Sequence, residues 1–557
     1  MNEGFPWLTV MAALPFAGGL LVAALPAGKR VLAKNTALAV TVAELVLAII
    51  LTVKFSPDGA RFQFTESYTW IDSFGVHWAL GVDGIGVVLI LLTAALMPIL
   101  VLASWHDADT PQVRMDGSAG EKAAPRSTHA FFALMLMVEA MVVVSFAATD
   151  IFVFYIFFEA MLIPMYFLIG GFGGAQRSYA AVKFLLYNLL GGLVMLAAVV
   201  GLYVATADAD LGGAGHGTFD LLRVSQAVAS GELDLNPTAE KAMFLGFMFA
   251  FAIKAPLWPF HTWLPDTMTE ATPGVAVLVT AMVDKVGTFA MLRFCLELFP
   301  DASKTFAPLI VTLAVIGIIY GALLAVGQTD IKRLIAYTSI SHFGFIIMGI
   351  FAMTSQGHSG ATLYMINHGF STAALLLIAG FLITRRGSKT IADFGGVQKV
   401  APVLAGTFLV AGLATLSLPG LAPFVSEFLV LVGTFSRYHV AGVFATVGII
   451  LAALYVLVLY QRTMTGPVKA GNEKISDLGL REKVVVAPLL VVLIALGVYP
   501  KPILDVVDPA VEGTLTQVDR RDPAPPHPIA PVADQANAPA GNHAADQAAA
   551  HTTGGNK

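Results

Sequence analysis

The sequence predicts an all-α polytopic membrane protein with about fourteen transmembrane helices. Apolar residues make up 57% of the 557 residues and charged residues only 12%, about half the charged share of an average soluble domain. The mean hydropathy is +0.77. Apolar runs of roughly 17–25 residues, each long enough to cross a bilayer, recur along the chain. The runs cover approximately 6–27, 36–54, 84–104, 129–148, 150–170, 179–205, 241–259, 274–297, 305–326, 333–353, 360–384, 401–436, 441–461 and 484–501.

The charge and the cysteine content exclude several functions. The net charge is −5 and there is no basic face, so nucleic acid is not a predicted partner. The single cysteine, Cys295, lies in an apolar run. One cysteine forms neither a disulfide framework nor an iron–sulfur cluster held by this chain alone.

The basic residues of the connecting segments predict the orientation. Eighteen Lys and Arg residues, from Lys29 to Lys483, fall in one set of alternate loops, and seven, from Lys54 to Lys501, fall in the opposite set. Because cytoplasmic loops are enriched in Lys and Arg, both termini are predicted to lie outside. The segment 206–240 then becomes an external loop, in which TFDLLRVSQAVAS predicts a short surface helix.

Two long apolar runs are interrupted by similar proline motifs. APLWPF (255–260) follows Lys254, and LPGLAPF (418–424) precedes Glu427, in the seventh and twelfth helices. Paired broken helices are typical of inverted structural repeats with a site at midmembrane. The spacing predicts two inverted five-helix repeats, helices 4–8 and 9–13. The predicted segments are 1–104 for helices 1–3, 127–297 and 305–462 for the repeats, 484–501 for helix 14, and 508–557 for a disordered polar tail.

Seven ionisable side chains fall near the middle of predicted spans, where charge is expensive. Each costs roughly 2.5–3.5 kcal/mol on insertion scales, so together they would cost on the order of 20 kcal/mol against lipid. They must face the bundle interior, and such groups are functional candidates by default. A succession of acid, lysine and imidazole groups can pass protons, since histidine titrates near neutral pH. The seven are Glu139, Glu159, Lys254, Lys285, His342, His368 and Glu427.

The residues alone leave structural interpretations open. Glu159 and Lys254 can neutralise each other as a structural pair. His342 and His368 can be satisfied core histidines. Glu44, in the second span, has no assigned place.

Five blocks of the sequence carry a family resemblance. They are FFEAMLIPMYFLIG, AFAIKAPLWPFHTWLPD, GQTDIKRLIAYTSISHFGF, MINHGFSTAALL and LPGLAPFVSEF. These blocks resemble the antiporter-like subunits of respiratory complex I, the proton-pumping NADH–quinone oxidoreductase. The resemblance extends from the first helix to about Asp505, and HTWLPD and TDIKRLIAYTSISH are specific to this superfamily.

The resemblance implies a proton relay. The family's fifth-helix glutamate, seventh- and eighth-helix lysines, linking histidines and twelfth-helix acid match, in order, Glu159, Lys254, Lys285, His342, His368 and Glu427. The acid at Glu427 discriminates, because the sister subunits L and N and the multisubunit cation/proton antiporters carry lysine there. Glu139, His261 and Asp284 are secondary candidates.

The same resemblance implies a translocase subunit without redox chemistry of its own. Proton movement would be coupled to quinone reduction in other subunits. Those subunits would hold FMN, iron–sulfur clusters and quinone, so no cofactor or metal is expected in this chain. The expected partners are the other membrane-arm subunits, especially L and N, and the lipid bilayer. The expected location is a bacterial plasma membrane.

Three other functions are weighed against this one. A subunit of a cation/proton antiporter shares the fold and most of the charges, and sodium dependence of transport would distinguish it. A haem held by His342 and His368 gives the lysines no purpose, and an absorbance spectrum decides it. A purely structural spacer in the membrane arm is the third.

Overall fold

Helices account for nearly all of the secondary structure. The computed structural model describes residues 4–26, 28–109, 127–213 and 215–524. Helices α1 to α8 are Trp7–Ala24, Arg30–Lys54, Gly84–Ala103, Thr128–Ala147, Ile151–Ala160, Leu162–Phe172, Arg177–Asp208 and Leu221–Ser230. Helices α9 to α21 are Pro237–Lys254, Trp263–Glu270, Pro273–Val277, Asp284–Ala290, Pro300–Val326, Ile331–Ala352, Ser355–Arg386, Val397–Val400, Pro402–Thr415, Ala422–Arg437, His439–Met464, Leu480–Val498 and Lys501–Gln517. Two π-helical segments, Leu278–Val283 and Met291–Leu296, flank α12, and α8 is the predicted surface helix.

The described helices define a multi-pass membrane protein. Eleven stretches are long and apolar enough to cross a membrane, or up to twelve if the bent pair α20–α21 is one span. All fourteen predicted apolar runs coincide with helix, but three fall outside the count of eleven. Two of the three are excluded because their helices, α9 and α20, each carry three charged residues. The third, the run 401–436, is excluded because a break divides it into the shorter helices α17 and α18.

The helices that carry the central candidate residues are enclosed by other helices. In the 18-residue apolar part of each span, 100% of the residues are buried in Pro273–Leu296, 94% in α14 and in α15, and only 28% in α2. Lys285, His342 and His368 therefore face protein and not lipid, as the cost of an intramembrane charge requires.

The all-α prediction is wrong for one segment. Between α2 and α3, strands β1 (Gln63–Ile71) and β2 (Val76–Val82) form an antiparallel hairpin. Both strands are rich in aromatic and β-branched residues, which favour a pleated surface. Gly75, with φ of +63°, suits the turn between them. Glu66 accepts a hydrogen bond from the Leu8 amide at 2.8 Å, so the hairpin holds the start of α1.

The prediction that a disordered tail begins at residue 508 is also wrong. Helix α21 continues to Gln517. Its buried residues are Val507, Ala510, Val511, Thr514 and Leu515. They recur every three or four residues and form one face of an amphipathic helix, which the Pro/Ala/His composition of the following residues obscured. The rest of the predicted tail, from residue 525, lies outside the described residues.

A buried ion network fastens α21 to the helix that carries Lys285. Arg293, in the second π-helical segment, pairs with Asp83 at 2.7 Å. Arg61 pairs with Glu297 and donates a hydrogen bond to Thr514 of α21 at 3.0 Å. Thr514 in turn donates to Glu297 at 2.8 Å. Two arginines thus balance two carboxylates where α3, the second π-helical segment and α21 meet.

Candidate functional site

The helix that carries Glu159 is interrupted directly after it. Helix α5 ends at Ala160 and α6 begins at Leu162. Pro164 has no amide hydrogen to donate to the Ala160 carbonyl, which explains why the single predicted run 150–170 divides here. Glu159 Oε1 is buried and accepts no hydrogen bond from the described residues. Gly192 of α7 lies against this carboxyl group, and a Cβ atom at position 192 would collide with it.

Lys254 is the last residue of α9, at the first predicted break. Its side chain is fully buried, and its Nζ donates to the Phe158 carbonyl oxygen at 2.9 Å and lies 4.0 Å from the centre of the Phe158 ring. Lys254 and Glu159 attract each other through space. Among the described side chains, no ion pair shorter than 4 Å joins them. The expected Glu159–Lys254 interaction is therefore an attraction through space and not a direct salt bridge.

The break after Lys254 is supported by side chains. The chain between α9 and α10 contains Pro256 and Pro259, which cannot donate to the helix ladder. Trp263 Nε1 donates to the freed Ile253 carbonyl at 2.9 Å, and Thr262 donates to the Tyr187 hydroxyl at 2.8 Å. The prediction that proline frees carbonyls for other polar groups is confirmed at Ile253.

Asp284 and Lys285 begin the short helix α12 between the two π-helical segments. Such segments occur frequently at functional sites. Gly287 brings α12 against the break, since a Cβ atom there would lie 2.9 Å from the Ala255 nitrogen and 3.2 Å from Lys254 Cβ. Asp284 is fully buried without a hydrogen-bond partner among the described residues, and it attracts both lysines through space. Asp284 therefore interacts with Lys254 as well as with its sequence neighbour Lys285, which the sequence alone did not reveal.

The two predicted histidines continue the series from Lys285. Lys285 Nζ lies 2.7 Å from His368 Nδ1 and 4.1 Å from the centre of the Phe343 ring. The rings of His368 and His342 lie 5.3 Å apart, centre to centre, at 88°. All of these side chains are buried. Lys285 and His368, which the resemblance makes successive members of a relay, are therefore in direct contact.

Glu427 completes the series at the second predicted break. Helix α17 ends at Thr415 and α18 begins at Ala422. Glu427 accepts a hydrogen bond from Tyr364 at 3.2 Å and another from Ser417. Neither donor was a sequence candidate, because a tyrosine or serine in an apolar run carries no charge signal. The i, i+4 spacing of Tyr364 and His368 on one helix face was the available clue.

Two secondary candidates lie apart from these contacts. Glu139, on α4, is fully buried and repels Glu44 of α2, and neither carboxyl group has a hydrogen-bond partner among the described residues. His261 lies in the first break, with its ring 5.2 Å from that of Tyr320. The structure thus gives Glu44 a neighbour but connects neither acid to the lysines.

No metal site emerges from the described ranges. Within them, no three or more His, Cys, Asp or Glu side chains are grouped so as to hold a metal ion. The site instead consists of carboxyl, lysine and imidazole side chains, most of them buried in the protein interior. Such a series supports proton movement between adjacent groups.

Broken helices around buried acids, lysines and histidines define an antiporter-like transmembrane subunit. A family model described as "NADH:quinone oxidoreductase/Mrp antiporter, TM" matches residues 148–452. A Mycobacterium tuberculosis protein named NADH-quinone oxidoreductase subunit M is 59% identical over 545 residues, covering 95% of this chain and 97% of the relative. The subunit M of Rhodobacter capsulatus is 37% identical over 90% of this chain and 95% of its own length. The chain belongs to the subunit M family of NADH-quinone oxidoreductases.

Solved structures show the same fold. A chain of respiratory complex I from Thermus thermophilus superposes with a TM-score of 0.79 at 30% identity, covering 92% of this chain and 99% of that one. A chain of the Mrp complex from Dietzia sp. gives a TM-score of 0.77 at 21% identity, covering 92% and 98%. The second likeness shows the fold alone.

Proposed function

We propose that this chain is a proton-translocating membrane-arm subunit of a NADH–quinone oxidoreductase. The observation that carries the proposal is the series of ionisable groups inside the protein, in which Glu159, Lys254, Asp284 and Lys285 interact through space and Lys285, His368 and His342 are in contact. Quinone reduction takes place in other subunits, and its energy reaches this chain as a displaced charge near Glu159.

Proton movement follows from the way in which each charge is held. Displacing charge near Glu159 changes the attraction that stabilises the Lys254 ammonium. A proton released by Lys254 passes toward Asp284 and Lys285, and Lys285 delivers one to His368. Moving one charge against 100 mV costs about 2.3 kcal/mol, so the displacement must supply at least that bias.

The same proposal includes the finer architecture. The broken helices α9–α10 and α17–α18 each count as one span, and α20 counts as another. Added to the eleven long apolar stretches, these three give fourteen spans. Helices 4–8 and 9–13 form the inverted repeats, and each repeat contributes one break to the relay. The chain lies in a bacterial plasma membrane with both termini outside, neighbours subunits L and N, and performs no redox chemistry.

The test is the substitution Glu159→Gln, which keeps the shape and removes the charge. In inverted membrane vesicles, NADH oxidation with a quinone and acidification of the lumen are recorded together, after a native gel shows an assembled complex. Both rates are expected to fall strongly. Glu232→Gln is the matched control, since Glu232 pairs with Arg223 on the exposed α8 loop, and it is expected to leave both rates unchanged. Wild-type rates for Glu159→Gln in an assembled complex would contradict the relay.

A cation/proton antiporter subunit is the second candidate, because the matching family includes Mrp antiporters. Glu427 argues against it, since the antiporter subunits carry lysine at that position. Acidification that requires sodium and proceeds without NADH would support the antiporter instead.

A further inference from the structure

The contact between His342 and Glu427 runs through a tyrosine. Tyr364 lies on α15 one helical turn before His368, so both residues face the same way. The His342 ring packs against both, with ring centres 5.3 Å from His368 and 5.7 Å from Tyr364. The Tyr364 hydroxyl then donates to Glu427 Oε2 at 3.2 Å. Tyr364 therefore stands between the last histidine and the terminal acid.

The Tyr364 hydroxyl lies in a buried environment, and the acid that accepts its hydrogen bond is Glu427. Tyr364 is 0% exposed and Glu427 only 4% exposed, so bulk water does not supply the hydrogen bonds. Ser417 donates to the same carboxylate oxygen as Tyr364. His342 Nδ1 is buried and has no hydrogen-bond partner among the described residues, so one imidazole nitrogen is available to exchange a proton.

Ser417 is held in an unusual backbone conformation. Its φ is +61°, in the left-handed region that side-chain-bearing residues other than Asn and Asp rarely adopt. The residue lies in the break between α17 and α18, and this conformation brings its hydroxyl onto Glu427. Strain that is retained at such a point is typical of functional sites.

We infer that Tyr364 is a relay residue that carries protons from His342 to Glu427, and that Ser417 positions the accepting carboxylate. The phenol oxygen accepts a proton from protonated His342, directly or through one water molecule, as its own O–H proton passes to the Glu427 carboxylate. The imidazolium N–H bond and the original phenol O–H bond break, while a new phenol O–H bond and a carboxyl O–H bond form, and a bridging water would lose one O–H bond and gain another. Tyr364 is neutral before and after, His342 becomes neutral, and Glu427 becomes neutral. The inference rests on the proposed proton-translocating function.

The first test is Tyr364→Phe, which keeps the ring and removes the oxygen. Lumen acidification driven by NADH in inverted vesicles is expected to slow by ~10-fold, less than the 10²–10⁴-fold of a general acid–base group because water can partly replace the phenol. Its solvent deuterium isotope effect is expected to rise, since proton transfer becomes rate-limiting. The matched control is Tyr455→Phe: Tyr455 is equally buried and near Glu427 but donates no hydrogen bond to it among the described contacts. Its rate and isotope effect are expected to stay at wild-type values.

Ser417→Gly keeps the inference testable if Tyr364→Phe fails to assemble. Glycine suits φ of +61°, so this variant is expected to assemble at least as well as the wild type, yet to pump more slowly with a raised isotope effect. Wild-type pumping and isotope effect in an assembled Tyr364→Phe complex, or in Ser417→Gly if Tyr364→Phe does not assemble, would overturn the inference. If Glu427→Gln is impaired in the same experiment, the proposed function survives that result. If Glu427→Gln also pumps normally, the terminal acid of the proposed relay is itself wrong.

Discussion

The ammonium groups of the two buried lysines have the same kinds of protein neighbour, although the lysines lie on different helices. Lys254 has a carbonyl oxygen at 2.9 Å and an aromatic ring at 4.0 Å. Lys285 has an imidazole nitrogen at 2.7 Å and an aromatic ring at 4.1 Å. A desolvated cation–π contact contributes about 2 kcal/mol, and a lone-pair acceptor adds a charge-assisted hydrogen bond. Among the described residues, neither lysine has a carboxylate within ion-pair distance. Each lysine can therefore lose its proton without leaving a buried carboxylate that has lost its ion-pair partner.

The environment of Glu159 yields a prediction that removes no ionisable group. Gly192 leaves room for the carboxyl group, and a Cβ atom there would collide with it. Gly192→Ala is expected to displace Glu159 and to lower NADH-driven acidification toward the Glu159→Gln level. Gly201→Ala is the control on the same helix, because its Cβ atom would meet Met243 Sδ at an ordinary 3.5 Å. Equal pumping by the two assembled alanine variants would show that the position of Glu159 is unimportant.

At the scale of elements, the apolar runs and proline motifs predicted most of the fold. Length and hydropathy suffice for helices that must satisfy their backbone inside a membrane. They failed at the hairpin, whose mixed polar and apolar strands lie outside any long run, and at α21, whose apolar face is narrow. They also missed the interruption beside Glu159, where one proline, Pro164, shifts the chain without ending the apolar run.

Helix α20 packs against the second break, between α17 and α18, and this contact can be tested. A Cβ atom on Gly497 would collide with the backbone of Gly420 and Leu421, which cannot give way as a side chain can. Gly497→Ala is expected to shift the break that positions Ser417 and Glu427, and so to lower both pumping and the temperature at which the complex dissociates. Gly406→Ala, on α17 with nothing within 4 Å, is expected to match or exceed the wild type, because alanine favours a helix by about 1 kcal/mol. A Gly497→Ala complex as stable and active as Gly406→Ala would contradict this view of the break.

At the scale of the whole molecule, the proposed relay would cross from one predicted repeat to the other. Sequence reasoning supplied the charged members, since an ionisable residue in an apolar run is conspicuous. It did not supply Asp284 as a link, Tyr364 or Ser417, because their roles depend on which helices touch. The ion network of Arg293 and Asp83 further shows that charges near helix ends can be paired inside the protein. From spacing along the chain alone, a buried ion pair of this kind cannot be distinguished from a charged side chain that is exposed to solvent.

The predicted orientation of the molecule decides which side of the membrane each end of the proposed relay faces, and it yields the last prediction. The excess of Lys and Arg in one set of loops predicts that the termini and α8 lie outside and that the 466–479 loop lies inside. Because Cys295 is the single cysteine and is buried, a Cys295→Ser background permits single-cysteine labelling with a membrane-impermeant maleimide in intact cells. Gly4→Cys and Ser230→Cys, at exposed positions, are expected to react, and Lys474→Cys only after the cells are permeabilised. Reaction of Lys474→Cys in intact cells, with Gly4→Cys and Ser230→Cys protected, would mean that the chain has the opposite orientation and that the relay faces the membrane potential from the other side.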